Sequence, residues 1–500
     1  MDDRLQLLYA FAGAVVVLCF IYWKTLPLRH IPAIGPDAPL FSYLGAYRYY
    51  HHAREMLQEG YNKYRVFKVP MVDQWIVIVS GARMNEELQR FPDTHMSFLE
   101  AAEDFLFMRY TIAPDANKLP IHINVIKGPL TRNLGVIYSD VVDEMKAAFP
   151  ENIPASEEWT DVDVLNAMAN IVARASNRVF VGLPLCRNKE YLQNVVDLTW
   201  NFSKGRAILS LVPGFLHGIV GPLLPWSRRA IRKASTYLKP MIVERQKESQ
   251  QKGMAWVDKP NDFLMWLIEE ANRAGKTADL IVQGVIMSNF AAIHTSSHSI
   301  TQAVYHLAVS PEPMKLLRDE IEDAVSKHGW TRTAVQQMWK LDSFMHESQR
   351  INGISGVSVM RKALRDVTFS DGTRIPAGTL VAAAATATHL DGDYYEDPAV
   401  FRPFRYSDMR MDESQRLRQQ FVSTSPEYIA FGHGKHACPG RFFAVNELKL
   451  MMAYLILNYD FKFEGRRDRP ANTWVWHTPF PPEARVKFRR RQDKNVLLSL

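Results

Sequence analysis

From Thr277 to Ser310 the sequence keeps helical periodicity with few charges through its middle, and this run limits the fold more than any other feature. At 1.5 Å per residue it makes a helix roughly 50 Å long. Thr277 is an acceptable N-cap, Asp279 suits the positive end of the helix dipole, and Pro311 supplies the stop. A helix so long and so apolar has to be buried on most sides, which takes a large domain. The chain has 500 residues, 47% hydrophobic and 23% charged, enough for such a core. The same fractions exclude intrinsic disorder and fibrous classes. Within the run, Ala291-Ala292-Ile293-His294-Thr295-Ser296-Ser297 leaves space on one helix face; taken alone, those small residues read as close helix packing.

Helical periodicity dominates from about residue 135 to 350, with breaks expected at Pro213, Pro222, Pro225 and Pro240. Strand signals lie on either side. Val66 to Val69 and Gln74 to Ser80 flank Pro70 to Asp73 as a hairpin, and Val367 to Phe369 and Thr373 to Ile375 flank an Asp371-Gly372 turn. Phe461 to Phe463 and Val486 to Phe488 are β-like runs near the end. The pattern predicts a mainly α fold with small β-sheets, of the α+β class, and not a βαβ repeat.

The N-terminus adds a membrane expectation. Leu5 to Trp23 is almost uninterrupted apolar sequence, just long enough to span a hydrocarbon core. Asp2 and Asp3 before it, and bulky Tyr22 and Trp23 closing it, do not fit a cleaved signal peptide. Lys24, Arg29 and His30 follow, so the flank beyond the span stays cytosolic. Residues 1–25 are therefore expected to be a retained single-pass anchor. Residues 26–45, with Pro27, Pro32, Pro36 and Pro39, read as a stiff connector, and residues 46–500 as one catalytic domain. The net charge of +7 and pI near 9.1 favour an acidic partner or membrane surface, without the dense basic footprint that nucleic acid needs.

Three cysteines cannot staple a chain of this size. Cys19 lies in the apolar span, leaving Cys186 and Cys438 for chemistry. Cys438 stands in Phe431-Gly432-His433-Gly434-Lys435-His436-Ala437-Cys438-Pro439-Gly440-Arg441, and Phe442 to Leu457 continues with helical periodicity. A sulfur at a helix N-terminus is favoured as thiolate. Three readings follow: a nucleophile with His433 or His436 as base, a zinc site of His433, His436 and Cys438, or an axial thiolate on haem iron. The first lacks a familiar nucleophile site and the second lacks a fourth ligand.

The segment resembles the haem-binding loop of the cytochrome P-450 family, Phe-x-x-Gly-x-Arg-x-Cys-x-Gly. Phe431, Gly434, Cys438 and Gly440 match, and His436 replaces the usual arginine. Glu347-Ser348-Gln349-Arg350 is similar to the family's Glu-x-x-Arg, about ninety residues upstream. Phe401-Arg402-Pro403-Phe404-Arg405 is similar to its Phe-x-Pro-x-Arg segment, making Arg405 the third member of an ion network with Glu347 and Arg350. Ala291, Ala292 and Thr295 match the oxygen-binding helix, while His294 stands where an acid is usual. Both histidine substitutions resemble a subset of fungal enzymes of terpenoid and related secondary metabolism.

The resemblance implies the cytochrome P-450 fold with an N-terminal transmembrane helix, haem b as cofactor and Cys438 as axial ligand. It places Arg361, and with it Lys127 or the rival Arg132, against haem propionates, with His436 as a further donor. It implies Thr295 as the proton-handling residue, with His294 beside it either relaying protons or completing a hydrogen bond with a neighbouring helix. Substrate contacts are expected from the stretch Phe98 to Pro114, from Phe290, Ala291 and Ala292, from Ser355 to Val359 including Val357, and near Trp474 to Trp476. These are mostly apolar and imply an apolar, terpenoid or polycyclic substrate. The implied reaction is monooxygenation with O2, on the endoplasmic reticulum membrane with the catalytic domain facing the cytosol. Electrons would come from NADPH-cytochrome P-450 reductase, since the chain shows no flavin or nicotinamide motif. Two other classes stay open: a haem-thiolate isomerase or dehydratase needing no O2, and a non-catalytic membrane haem protein.

Overall fold

The apolar run becomes the helix around which the other long helices pack. The structure, a computed structural model, describes residues 27–38, 41–115, 120–212, 214–465 and 468–492. In chain order the elements that build the site are α1 (Ser42–Lys63), β1 (Val66–Pro70), β2 (Trp75–Val79), β3 (Met96–Ser97) and α2 (Phe98–Leu106). Then come α3 (Lys189–Ser210), α4 (Ala278–Val309), α5 (Trp339–Ile351), β4 (Val357–Ala363) and β5 (Leu380–Ala384). The last are α6 (Arg441–Asn458), β6 (Thr473–Val475) and β7 (Thr478–Phe480). The fold is mostly helical with small sheets, as expected.

α4 ends one residue inside the predicted limits at each end, with Pro311 just beyond. Thr277 holds the N-cap position, but its hydroxyl accepts no capping bond. Buried residues occur on every side of α4, and its apolar faces join helix and C-terminal residues in one large core. Ridge packing of long apolar helices builds most of this core, joined by Val162, Phe461, Val486 and Phe488 of a small three-stranded sheet.

The main sheet has the order β1-β2-β5-β4-β3, with β2 and β5 parallel and the other pairs antiparallel. The predicted first hairpin is β1–β2, and the runs around Asp371-Gly372 pair as Val367–Thr368 with Arg374–Ile375. A bulge lies between Ser358 and Arg361 in β4.

One expectation is corrected. Pro240 does not break the chain: it lies inside a continuous helix, Trp226–Lys252, and Pro222 lies within His217–Leu223. Ala230, Ala234, Leu238 and Ile242 repeat at i+4 and are all buried, so tertiary packing holds the longer helix on both sides of its proline. The described part of the connector docks on β1. Ile31 and Ile34 are buried, Ile34 N–H donates to the Lys68 carbonyl at 3.0 Å, and Lys68 N–H donates to the Pro32 carbonyl at 2.8 Å. Among the described residues no helix is long and apolar enough to cross a membrane; the anchor expected over 1–25 lies outside them.

Candidate haem-thiolate site

Cys438 is presented by a loop that only glycine-rich sequence can follow. Gly432 and Gly434 adopt φ of +70° and +71°, and a Cβ on Gly434 would run into the Gln89 side chain. Cys438 N–H donates to the Phe431 carbonyl at 2.7 Å, closing the loop ahead of α6, and Gly440 is the N-cap. Burial pushes the Cys438 thiol up, while N–H groups of Gly440 and Arg441 and the Arg441 charge pull it back down. The sulfur thus sits among donors at a helix start, but in a dry place where a free thiolate is costly.

The histidines flanking the sulfur face elsewhere. His433 meets Glu86 at 3.2 Å and Thr424 at 3.1 Å. His436 Nε2 meets Asp93 Oδ1 at 2.5 Å and its ring stacks 5.7 Å from Phe98. Neither imidazole bonds the sulfur, so no nucleophile–base pair forms, and no metal-binding cluster of three occurs among the described residues. With Nε2 of His436 engaged by Asp93, only its Nδ1 is left for any further acceptor.

Beside this loop lies Arg361. It is 1% exposed. Its Nη1 donates to the Met360 carbonyl at 2.8 Å, yet Nε and Nη2 are enclosed without an acceptor. Burial lowers its pKa to about 10, and the charge of Asp93 only partly offsets this. The β4 bulge just before it holds Val359 at φ +50°, an uncommon conformation for a β-branched residue. Bulges re-aim the side chains that follow, and backbone strain concentrates at functional sites.

In its middle, α4 bares its small-residue face. Ala291 is exposed, and Ala292, His294 and Thr295 are half-buried, although they lie mid-helix with buried residues before and after them. They therefore border interior space. Thr295 Oγ1 donates to the Ala291 carbonyl at 2.7 Å, leaving its lone pairs toward that space. Phe290 is buried, 4.8 Å from Phe202 of α3, and Val357 is buried in β4, where the bulge between Ser358 and Arg361 leaves it on the opposite face of the sheet from Arg361. Ala292, Phe431 and Ile126 all pack against the one large core.

His294 turns from Thr295 into an aromatic stack. Its ring lies 6.3 Å from Phe290, 4.3 Å from His298 and 6.2 Å from Phe480. Burial lowers its pKa to about 4, and no hydrogen bond to a neighbouring helix is made. Lys127 is exposed, on the π-helical segment Ile126–Leu130 whose Ile126 approaches Gly440; its ammonium makes no ion pair among the described residues.

Behind the loop, Glu347 and Arg350 of α5 are both 0% exposed and share two hydrogen bonds, at 2.7 and 2.8 Å. Arg405 Nε donates to both Glu347 oxygens at 3.2 Å, and the Arg402 N–H to Oε1 at 3.1 Å. Arg350 further donates to the carbonyls of His389 and Pro398. Burial alone would lower Arg350, but the bonds and charge of Glu347 hold it above its ordinary value.

A cytochrome P450 family profile matches residues 32–485. The chain belongs to the cytochrome P450 family. It is 56% identical to cytochrome P450 monooxygenase 71 of Postia placenta over 99% of this chain and 100% of that one. It is 39% identical to cytochrome P450 monooxygenase CYP512U6 of Ganoderma lucidum over 96% of each, and 36% identical to cytochrome P450 monooxygenase olcJ of Penicillium canescens over 89% and 85%. It is a P450 monooxygenase, and the cofactor of the family is haem b. The residues of this P450 fit that group: a sulfur facing interior space, a buried guanidinium with two unpartnered nitrogens that calls for an anion such as a propionate, and a helix face kept clear by alanines.

Sequence reasoning missed Asp93, which engages both His436 and Lys435. It also missed the buried ion cluster of Asp342 with Arg410 and Lys449, at 3.2 and 2.9 Å. Nothing in the local sequence marks either aspartate, since their partners are distant along the chain.

Proposed function

We propose that this P450 is anchored in the endoplasmic reticulum membrane by residues 1–25, through the connector 26–45, with the domain 46–500 in the cytosol. It hydroxylates an apolar terpenoid or polycyclic secondary metabolite: R–H, O2, two electrons and two protons give R–OH and water. Electrons come from an NADPH-dependent flavoprotein reductase, whose acidic docking surface suits the basic charge balance. The observation that carries the reading is the interior space beside Ala291 and Thr295, next to the buried Phe290.

Haem b held by the Cys438 thiolate supplies the oxygen-activating chemistry. Phe431, Gly434 and Gly440 shape the loop that carries the sulfur, and Arg361, Lys127 and His436 Nδ1 take the propionates. Thr295 Oγ1 holds a water that delivers protons. Phe290, Ala291, Ala292 and Val357 exclude bulk water and orient the substrate. Incubation with reductase, NADPH and a panel of terpenoid scaffolds, followed by mass spectrometry, tests the reading. Oxygenated product dependent on NADPH supports it; conversion without reductase or O2 points to a rearrangement instead.

In the same assay Thr295→Ala is expected to lower product formed per NADPH by roughly tenfold, within the range of a lost proton-transfer group. His294→Gln should leave this ratio within about twofold, because adjacent helix positions point about 100° apart. With its pKa near 4, His294 is neutral across pH 6–8 and adds no titration to the ratio in that window. A loss in His294→Gln equal to that of Thr295→Ala would make His294 the proton relay.

A further inference from the structure

Away from the thiolate, an arginine on α3 is enclosed without a counterion. Arg206 Nε donates to the Phe105 carbonyl of α2 at 3.1 Å, and the guanidinium lies 4.3 Å over the Phe105 ring. Nη2 is enclosed with no acceptor, and no carboxylate lies within ion-pair distance of the group. Burial lowers its pKa to about 10; Asp73 in the β1–β2 turn and Tyr49 of α1 pull it back only from a distance.

A second unpartnered group faces the same place. His477 is fully buried, its ring 4.5 Å from Phe105, its Nδ1 3.5 Å from the Tyr49 hydroxyl and its Nε2 without a partner. It stands in the two-residue turn of the β6–β7 hairpin, Trp476-His477. Such turns ordinarily use Gly, Asn or Asp, yet Trp476 is held at φ +53°. The turn is clamped on α1, with Trp476 N–H donating to the Tyr50 carbonyl at 3.0 Å. Strain of this kind persists where the surroundings over-determine it, as at ligand clamps.

The other end of the hairpin reaches α4, where Phe480 packs 5.4 Å from His298 and 6.2 Å from His294. Phe480 and His477 are three residues apart, about 10 Å along a strand. One hairpin therefore runs between the oxygen-binding helix and the unpaired guanidinium.

We propose that Arg206, with His477 and the Tyr49 hydroxyl, is a carboxylate-binding subsite at the tip of the β6–β7 hairpin, whose other end meets α4. The substrate is then an apolar scaffold bearing a carboxylate about 10 Å from the part that meets α4. The inference rests on the monooxygenase reading above and narrows its substrate class. A carboxylate accepts two parallel bonds from a guanidinium and neutralises it, whereas an ester or amide supplies an acceptor without the charge.

The test uses purified holoprotein titrated with dehydroabietic acid, its methyl ester and its primary amide, with binding read by thermal stabilisation. The acid should bind roughly tenfold or more tightly than either neutral form, as a charge-assisted bond to a buried group requires. Arg206→Gln should abolish that preference by weakening the acid alone, and Arg206→Lys should keep part of it. Equal binding of the three probes to the wild type, or no binding of the acid, overturns the proposal whether or not the variants fold. Weakening of acid and ester alike in Arg206→Gln also overturns it, as does destabilisation of the ligand-free variant that Asp73→Asn reverses, since Arg206 would then be a packing group or the partner of Asp73. The reduced carbon-monoxide spectrum of the same wild-type sample separates the two readings: loss of the thiolate band undoes the monooxygenase reading, while the titrations still report on Arg206.

Discussion

Cys438→Ser and Cys438→Ala are each expected to abolish the reduced carbon-monoxide band of thiolate-ligated haem, and with it all NADPH-dependent product. Only a thiolate donates electron density in this way. No other described cysteine can take over. Cys186 is fully buried, its Sγ lies 3.9 Å from Glu144, and burial pushes its pKa to about 11. The neighbouring imidazoles are turned to Glu86 and Asp93. The check is the difference spectrum of purified variants, with total haem measured separately by pyridine haemochrome. A variant that kept the band would place the axial ligand elsewhere and undo the assignment of the whole loop.

What was legible in the sequence was what local physics controls. The ends of α4 follow from a polar N-cap position and a proline stop, and the β1–β2 hairpin from short β-rich runs around a turn. Pro240 was misread because local propensity cannot see that the helix packs a buried i+4 stripe on both sides of it. In the connector, the prolines set stiffness, and Ile31 and Ile34 decide where it docks.

In the loop before Cys438, the glycines were legible because their spacing suits the positive-φ turns at Gly432 and Gly434. The two histidine departures were not. His436 is defined by Asp93, 343 residues away, and His294 by Phe480 on a late hairpin. Arg206 looks in sequence like Lys204 beside it, one more cation on a helix. Only the tertiary fold separates an exposed lysine from a guanidinium closed in by Phe105.

Glu347→Ala should remove folded holoprotein, not turnover alone. A surface i, i+3 pair contributes only tenths of a kcal/mol, but here both partners are fully buried. The variant leaves Arg350 and Arg405 without their shared carboxylate and removes the acceptor of the Arg402 N–H. Arg350 keeps the carbonyls of His389 and Pro398, which bond its donors without neutralising its charge. Breaking a buried pair from one side typically costs about 3–5 kcal/mol, a large part of the about 5–15 kcal/mol that holds most domains folded. The denaturation midpoint and the haem content per polypeptide check this together. Glu347→Gln, which keeps an acceptor oxygen but not the charge, should fall between the wild type and Glu347→Ala. Equal losses in both variants would assign the effect to charge, and a loss confined to alanine would assign it to the hydrogen bonds. Normal yield and haem content in Glu347→Ala would show that the arginines find enough solvation without the glutamate, and that the network is not what holds α5 to the segment around Arg405.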